Sequence, residues 1–310
     1  MYRKSVLPRT VLMAATAAIL AAAGTEVPGY GSVTAARGAQ AGVHERVLYT
    51  SVVDKDGEPV TGLGVNDFVV REDGARREVL RVTPAIEPIM IALLIDNSQA
   101  ASNDIRNIRD ALAKFVQQMH KEHEIAIVGI GDRPTIYQDY TRNVELLNAA
   151  IGRFFAMPGA GMTLLDALVD VARGIGRREG PRAVIVPVIT DGTEFSNRHY
   201  RQVVDAIKES GAALHAVTIG TFETSMADPI RNRASVLDEA PRATGGQRIS
   251  LLSSMAVENA LAKLGRELSN QHKVVYGRPD SLLQPETVTV TVTRPGLTAR
   301  GTVERRRPGA

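Results

Sequence analysis

The chain has no cysteine and no tryptophan, and aromatic residues make up only 4% of its 310 residues. Without cysteine there can be no disulfide, no thiolate metal site, no thiol nucleophile and no lipid attached through a thiol. This does not argue against export, because a chain of this length can bury a core that needs no crosslinks. The scarcity of aromatics counts against carbohydrate platforms and base-stacking surfaces. No G-x-S-x-G elbow and no Walker loop occurs. Beyond the first 23 residues no apolar run is long enough to span a membrane.

A surplus of one charge is also missing once the amino terminus is set apart. MYRKSVLPR is basic, TVLMAATAAILAAA is apolar, and Ala21-Ala22-Ala23 fits the small-x-small cleavage pattern. Residues 1–23 therefore read as a signal peptide, and the protein as exported, to the periplasm or the exterior. The chain holds 37 basic and 34 acidic residues. The leader carries Arg3, Lys4 and Arg9 and no acid, so the remainder balances. A near-neutral chain lacks the basic face that a nucleic acid would require. The one basic cluster, Arg305-Arg306-Arg307, is expected to be a solvated end.

Residues 24–45 are rich in glycine and alanine without a period and read as a flexible linker. Residues 46–84 then show short strands, RVLYTSVV, NDFVVRE and REVLRVT, broken by Asp-Gly turns. From residue 88 strands and helices alternate. PIMIALLI, EIAIVGIG, AVIVPVIT and ALHAVTIG are apolar runs of the kind buried on both faces of a parallel sheet. Ile105, Ile108, Leu112, Phe115, Val116 and Met119 recur at helical spacing. The pattern is α/β, a doubly wound and mostly parallel sheet, Rossmann-like in its order, over residues 88–270. Pro187 inside AVIVPVIT predicts a local irregularity, since proline removes a ladder donor.

After residue 270 the pattern returns to β, with HKVVYG, ETVTVTVTR and TARGTVERR. In the second of these Val288, Val290 and Val292 share one face, and the third is expected to pair with it. Each β part is too short to stand alone. Residues 46–84 and 271–306 are therefore expected to form one sandwich-like antiparallel module with the α/β domain inserted between them. Residues 271–310 supply the second β segment and the basic tail.

In open α/β sheets, ligands bind beyond the carboxyl ends of the strands. Asp96 and Ser98 follow the first strand of the domain, Asp191 and Gly192 follow AVIVPVIT, and Thr163 precedes a helix after a glycine-containing loop. Two carboxylates and two hydroxyls are hard oxygen donors, suited to Mg2+ or Mn2+ rather than zinc.

LLIDNSQA, GAGMTLLDAL and VITDG, in this order and spacing, resemble a von Willebrand factor type A (VWA) domain. The flanking segments VVDKDGEPVTGLGVNDFVVREDGARREV and HKVVYGRPD are similar to those of a bacterial family of exported VWA-related proteins. The resemblance implies a metal-ion-dependent adhesion site (MIDAS). Asp96 and Ser98 match the first two positions of its D-x-S-x-S loop, Thr163 its threonine and Asp191 its second aspartate. Ala100 stands where the third hydroxyl would be, and Ser102 comes two residues late. The resemblance further implies binding to a protein partner whose carboxylate completes the metal's shell, without catalysis. A missing ligand should weaken affinity, because Mg2+ demands good geometry.

Two other readings of the same residues stay open. In the first, Asp96 bonds loop amides and caps the next helix, Asp191 holds Thr163, and the fold is an interaction scaffold without metal. In the second, Asp96 is the nucleophile of a phosphohydrolase. That reading wants D-x-D-x-T, and Ser98 and Ala100 remove its general acid. Other clusters have simpler explanations. His120 and His123 lack zincin spacing. Asp54-Lys55-Asp56-Gly57 reads as a hairpin turn. Gly129 and Gly131 lack the third glycine of a dinucleotide fingerprint. His215 lies mid-strand, and Asp166 is expected to face helix amides or a neighbour.

Overall fold

The computed structural model describes residues 43–221, 227–279 and 282–305. The expected leader, nearly all of the linker, and Arg306 and Arg307 lie outside them. Four strands open the described chain: β1 (Val43–Val53), β2 (Phe68–Glu72), β3 (Ala75–Arg77) and β4 (Val79–Pro84). Asp54 closes the first turn, its Oδ1 accepting from the amides of Asp56 and Glu58 at 2.9 Å each, as the hairpin reading requires. REVLRVT is not one strand. Arg77 pairs with β2, whereas Val79 onward pairs in the other sheet, so the chain changes sheets at Glu78.

The α/β domain follows. Its strands are β5 (Ile89–Ile95), β6 (Glu124–Gly129), β7 (Thr135–Thr141), β8 (Arg182–Ile189), β9 (Ala212–Ile219) and β10 (Gln247–Leu251). Its helices are α1 (Ile105–Met119), α2 (Val144–Gly152), α3 (Leu164–Gly176), α4 (Tyr200–Ser210), α5 (Asp228–Thr244) and α6 (Val257–Ser269). The sheet order is β10-β9-β8-β5-β6-β7, parallel except for the antiparallel edge strand β7. Strand β5 shows why its sequence is apolar throughout. Ile89, Ile91, Leu93 and Ile95 face the layer of α1, α2 and α6, while Met90, Ala92 and Leu94 face that of α3, α4 and α5. Pro187 leaves a gap rather than a bulge. Strand β8 pairs with β9 up to Ile185 and again from Val188 in the same register, and Val186 and Pro187 are unpaired on that side. On its other side β8 pairs with β5 without interruption.

Strands β11 (His272–Pro279), β12 (Val288–Val292) and β13 (Thr298–Val303) complete the chain. The first half and the last half of the β segments interleave in two sheets, β13-β1-β11-β4 and β12-β2-β3. The expected β12–β13 hairpin does not form. Strand β12 pairs with β2 and β13 with β1, so the two face each other across the sandwich. The reason is the core. Val290 on β12 packs with Leu48, Val52, Phe68, Val70, Val274 and Tyr276, which come from both sheets. The buried carboxylate of Glu72 bridges them as well, accepting from Tyr276 Oη at 2.8 Å and from Arg77 Nε at 2.9 Å.

Two buried arginines join this module to the amino ends of the parallel strands. Arg182 donates to the carbonyls of Glu87 (2.6 Å) and Leu268 (2.9 Å) and to Gln271 Oε1 (2.7 Å). Arg305, expected in solvent, is instead buried and donates to the carbonyls of Ile175, Arg178, Gly180 and Ser210. A guanidinium offers five donors, so it can satisfy several strand and helix ends at once.

His215 is fully buried mid-strand in β9, and neither ring nitrogen has a hydrogen-bond partner. Burial pushes its pKa down from 6.5 to about 4, against the pull of the nearby Glu267 carboxylate. The unfolded chain takes up this proton first, so the imidazole's contribution is constant above pH 6.5 and is lost as pH falls toward 4. His215→Leu is expected to remove about 2 to 3 kcal/mol from the difference in unfolding free energy between pH 7 and pH 4.5. Urea titrations of both proteins at the two pH values measure it; identical differences would refute it.

Candidate functional site

The carboxyl ends of β5, β8, β9 and β10 open on one edge of the sheet, as parallel strands must. Asp96 is the first residue beyond β5 and is completely buried. Its amide donates to Val188 O at 3.0 Å, continuing the ladder one step past the strand. Its side chain then turns to two loops. Oδ1 accepts from the Ser98 amide (2.9 Å), and Oδ2 from the Thr190 amide (3.0 Å) and hydroxyl. Asp96 thus ties the loop after β5 to the loop after β8.

Ser98 is also buried, yet its Oγ has no hydrogen-bond partner. It lies against Gly192: a Cβ built on that glycine would fall 3.1 Å from Ser98 Oγ and 2.9 Å from Ala100 Cβ. The glycine of VITDG therefore leaves room for the hydroxyl. The Ala100 methyl stands in the place expected for a third hydroxyl, adjoining Ser98. Ser102 does not replace it. It lies in a 3-10 turn, Gln99–Asn103, before α1, and its exposed hydroxyl donates to Gln99 O at 2.6 Å.

Thr163 precedes α3, and its hydroxyl donates to Ile130 O at 2.9 Å, not to Asp191. That bond uses the proton and leaves oxygen lone pairs to act as acceptors or ligands. The Thr163 loop is laced to the loop after β8, with Met162 N on Thr193 O (2.8 Å) and Phe195 N on Met162 O (2.7 Å). Asp191 is the exposed member of the set. Its carboxylate packs against Gly220, where φ is +94° and a Cβ would lie 3.3 Å from Oδ2. The four expected residues thus stand on three neighbouring loops at one edge. Asp166, by contrast, pairs with Arg198 at 2.6 Å, a neighbour on the loop leading to α4.

Several participants escaped the sequence reading. Thr190 is one of the donors to Asp96. Asn97 Oδ1 accepts from Gly131 N at 2.8 Å and fixes the loop after β6. Glu194, three residues past Asp191, is buried; Oε1 accepts from Ser196 N at 3.1 Å while Oε2 has no hydrogen-bond partner. Burial pushes its pKa up to about 7. Arg233 of α5 is buried beside the same loop and donates to Gly192 O. Burial lowers its pKa, and Glu194, Asp96 and Asp191 oppose that effect in this order. A signal for Arg233 was present: it occupies the apolar stripe of α5 with Val236, Leu237 and Ala240, where an arginine needs an acidic partner. A cleft of about 740 Å3 lies at the other end of the sheet, lined by Glu72, Glu87, Lys273, Arg278 and Arg305. Its charges are largely paired among themselves.

Removing one charge of a buried set costs more than removing both. Arg233→Met is expected to destabilise the protein by about 3 kcal/mol, and Glu194→Gln in the same chain to recover part of that loss. Urea unfolding of the two single variants and the double variant at pH 8 measures the coupling. Strict additivity would show that the two groups do not interact.

Residues 91–194, a span holding Asp96, Ser98, Thr163 and Asp191, match the family model described as von Willebrand factor type A domain. No curated protein matches the chain. Among solved structures, proximal thread matrix protein 1 from the mussel byssus is 14% identical. Its TM-score is 0.48, with 64% of this chain and 49% of that one covered. This chain therefore aligns with about half of that protein's length. The vWF domain of the type V pili tip protein Mfa5 from Porphyromonas gingivalis is 10% identical, with TM-score 0.47, covering 59% of this chain and 95% of that one. The SpRpn10 VWA domain is 16% identical, with TM-score 0.43, covering 57% and 94%. Residues 91–194 of this chain thus match a von Willebrand factor type A domain, and they lie within a six-stranded, mostly parallel sheet flanked by helices.

Proposed function

We propose that the loop edge of this domain binds a protein partner through a divalent cation, Mg2+ or Mn2+, held by Asp96, Ser98, Thr163 and Asp191. The observation that carries this reading is the Ser98 hydroxyl, buried, without a hydrogen-bond partner, and given room by Gly192. Buried polar atoms are seldom left unsatisfied, and a bound ion or water is one way such an atom is met. All four residues offer oxygen, as these cations require. Bound there, the cation supplies positive charge for a partner's carboxylate. The residues themselves hold and orient it: Thr190 and the Ser98 amide fix the Asp96 carboxylate, and Ile130 fixes Thr163. The role is binding rather than catalysis, since the general acid of a phosphohydrolase is missing at Ser98 and Ala100.

Export to the periplasm or the exterior is part of this proposal and rests on the composition of residues 1–23. Among the described residues no helix is long and apolar enough to cross a membrane. One observation favours a second, metal-independent reading. The Arg233 guanidinium already places positive charge near Asp96 and Asp191, and the loops could hold a partner without a cation.

Metal-free protein titrated with Mg2+ and Mn2+ in a calorimeter is expected to show binding and a rise in melting temperature. Asp96→Ala and Asp191→Ala should abolish both. Ala100→Ser, which restores a hydroxyl beside Ser98, should tighten the affinity about tenfold. No heat and no thermal shift at millimolar metal would end the metal reading and leave the second one standing.

A further inference from the structure

Helix α5 buries a cation beside the site. Arg233 is 3% exposed and shares the buried stripe of the helix with Val236, Leu237 and Ala240. Its Nη1 donates to Gly192 O. Gly192 is the residue after Asp191, and a Cβ built on it would fall 3.1 Å from Ser98 Oγ. The guanidinium is therefore bonded to a residue that adjoins two of the four site positions, Asp191 in sequence and Ser98 in space. Glu194, also buried, stands further along the same loop, and its Oε2 has no hydrogen-bond partner.

A hydrogen bond to a carbonyl does not require a charge, since a side-chain amide can make it. Burying a guanidinium is costly unless negative charge lies near it. Here that charge belongs to the site edge: Glu194, Asp96 and Asp191 all favour the charged form of Arg233, in this order, against its burial. A divalent cation held by Asp96 and Asp191 draws on the same carboxylates. It also meets the guanidinium as a like charge, and inside a protein such repulsion is screened far less than in water. Two positive groups thus compete for one set of acids, and one of them is fixed to the fold.

We infer that Arg233 limits the cation affinity of the loop edge, its guanidinium neutralising part of the negative charge that Asp96, Asp191 and Glu194 gather there. The inference rests on the cation-binding reading of the site, and it adds the residue that sets the strength of that binding. It is distinct from a scaffolding role. A residue that only held Gly192 O would, when removed, let the glycine shift against Ser98 and weaken the site. Removal of a counter-charge strengthens it. The sign of the change separates the two.

Calorimetric titration with Mg2+ and with Mn2+ tests it at pH 8, above the raised pKa of about 7 of Glu194. Arg233→Met is expected to bind each ion at least about tenfold more tightly than the wild type. Arg233→Lys, which keeps the charge, should stay within about threefold of the wild type. Glu194→Gln should bind more weakly, and the double variant Arg233→Met, Glu194→Gln more tightly than Glu194→Gln alone. That last comparison repeats the test in a chain that buries neither charge, should Arg233→Met alone fail to fold. The melting temperature of Arg233→Met should also rise further on adding Mg2+ than that of the wild type. Unchanged or weaker binding in Arg233→Met, or equal tightening in Arg233→Lys, would overturn the inference and leave the cation reading standing. No binding by the wild type or any variant would overturn both. Binding by Arg233→Met where the wild type shows none would uphold both.

Discussion

The buried carboxylate of Asp96 is the constraint on which the loop edge depends. A carboxylate at zero exposure must have its oxygens met by donors, and here the donors come from two different loops. Meeting that need aligns the loop after β5 with the loop after β8. The second loop is bonded in turn to the segment before Thr163, and Asn97 holds the loop after β6. The positions of Ser98, Thr163 and Asp191 thus follow from one aspartate's hydrogen-bond requirement. Phe195 and Met157 belong to the same lattice, their amides bonded to Met162 O and Asn97 O.

What could be read from the sequence, and what could not, divides along physical lines. The apolar run of β5 was legible because a strand buried on both faces has no polar choice. LLIDNSQA and VITDG were legible because an aspartate directly after such a run needs a reason. Pairing was less legible. TARGTVERR looked like a partner for ETVTVTVTR because the two are close in sequence. Val290 instead had a core to fill, and the hairpin gave way to a sandwich. The change of sheet at Glu78 leaves no mark on a pattern of alternating residues. Arg305 was misplaced in solvent because composition shows charge but not the four carbonyls waiting for it. Arg233 and Glu194 were missed for a related reason: each looks out of place alone, and only their proximity explains both.

The two ends of the sheet do different work. At the amino ends Arg182 and Arg305 spend their donors on main-chain carbonyls, and the acids of the nearby cleft are largely paired. At the carboxyl ends a serine hydroxyl and a glutamate oxygen are buried without partners. The amino end joins modules, although Arg182 Nε and Glu87 Oε2 are buried there without hydrogen-bond partners as well.

The interleaving of the β segments carries a consequence for how the parts depend on one another. Strand β1 pairs with β11, and Val47 meets Val275 across the whole length of the inserted domain. An open chain of that length closes only at an entropic cost that grows with its logarithm. The folded α/β domain shortens the gap to the distance between its own entry before β5 and its exit after α6. The sandwich is therefore conditional on the domain it encloses. Any opening of that domain's amino edge loosens β1 from β11, so damage near the core is passed to the chain's described ends.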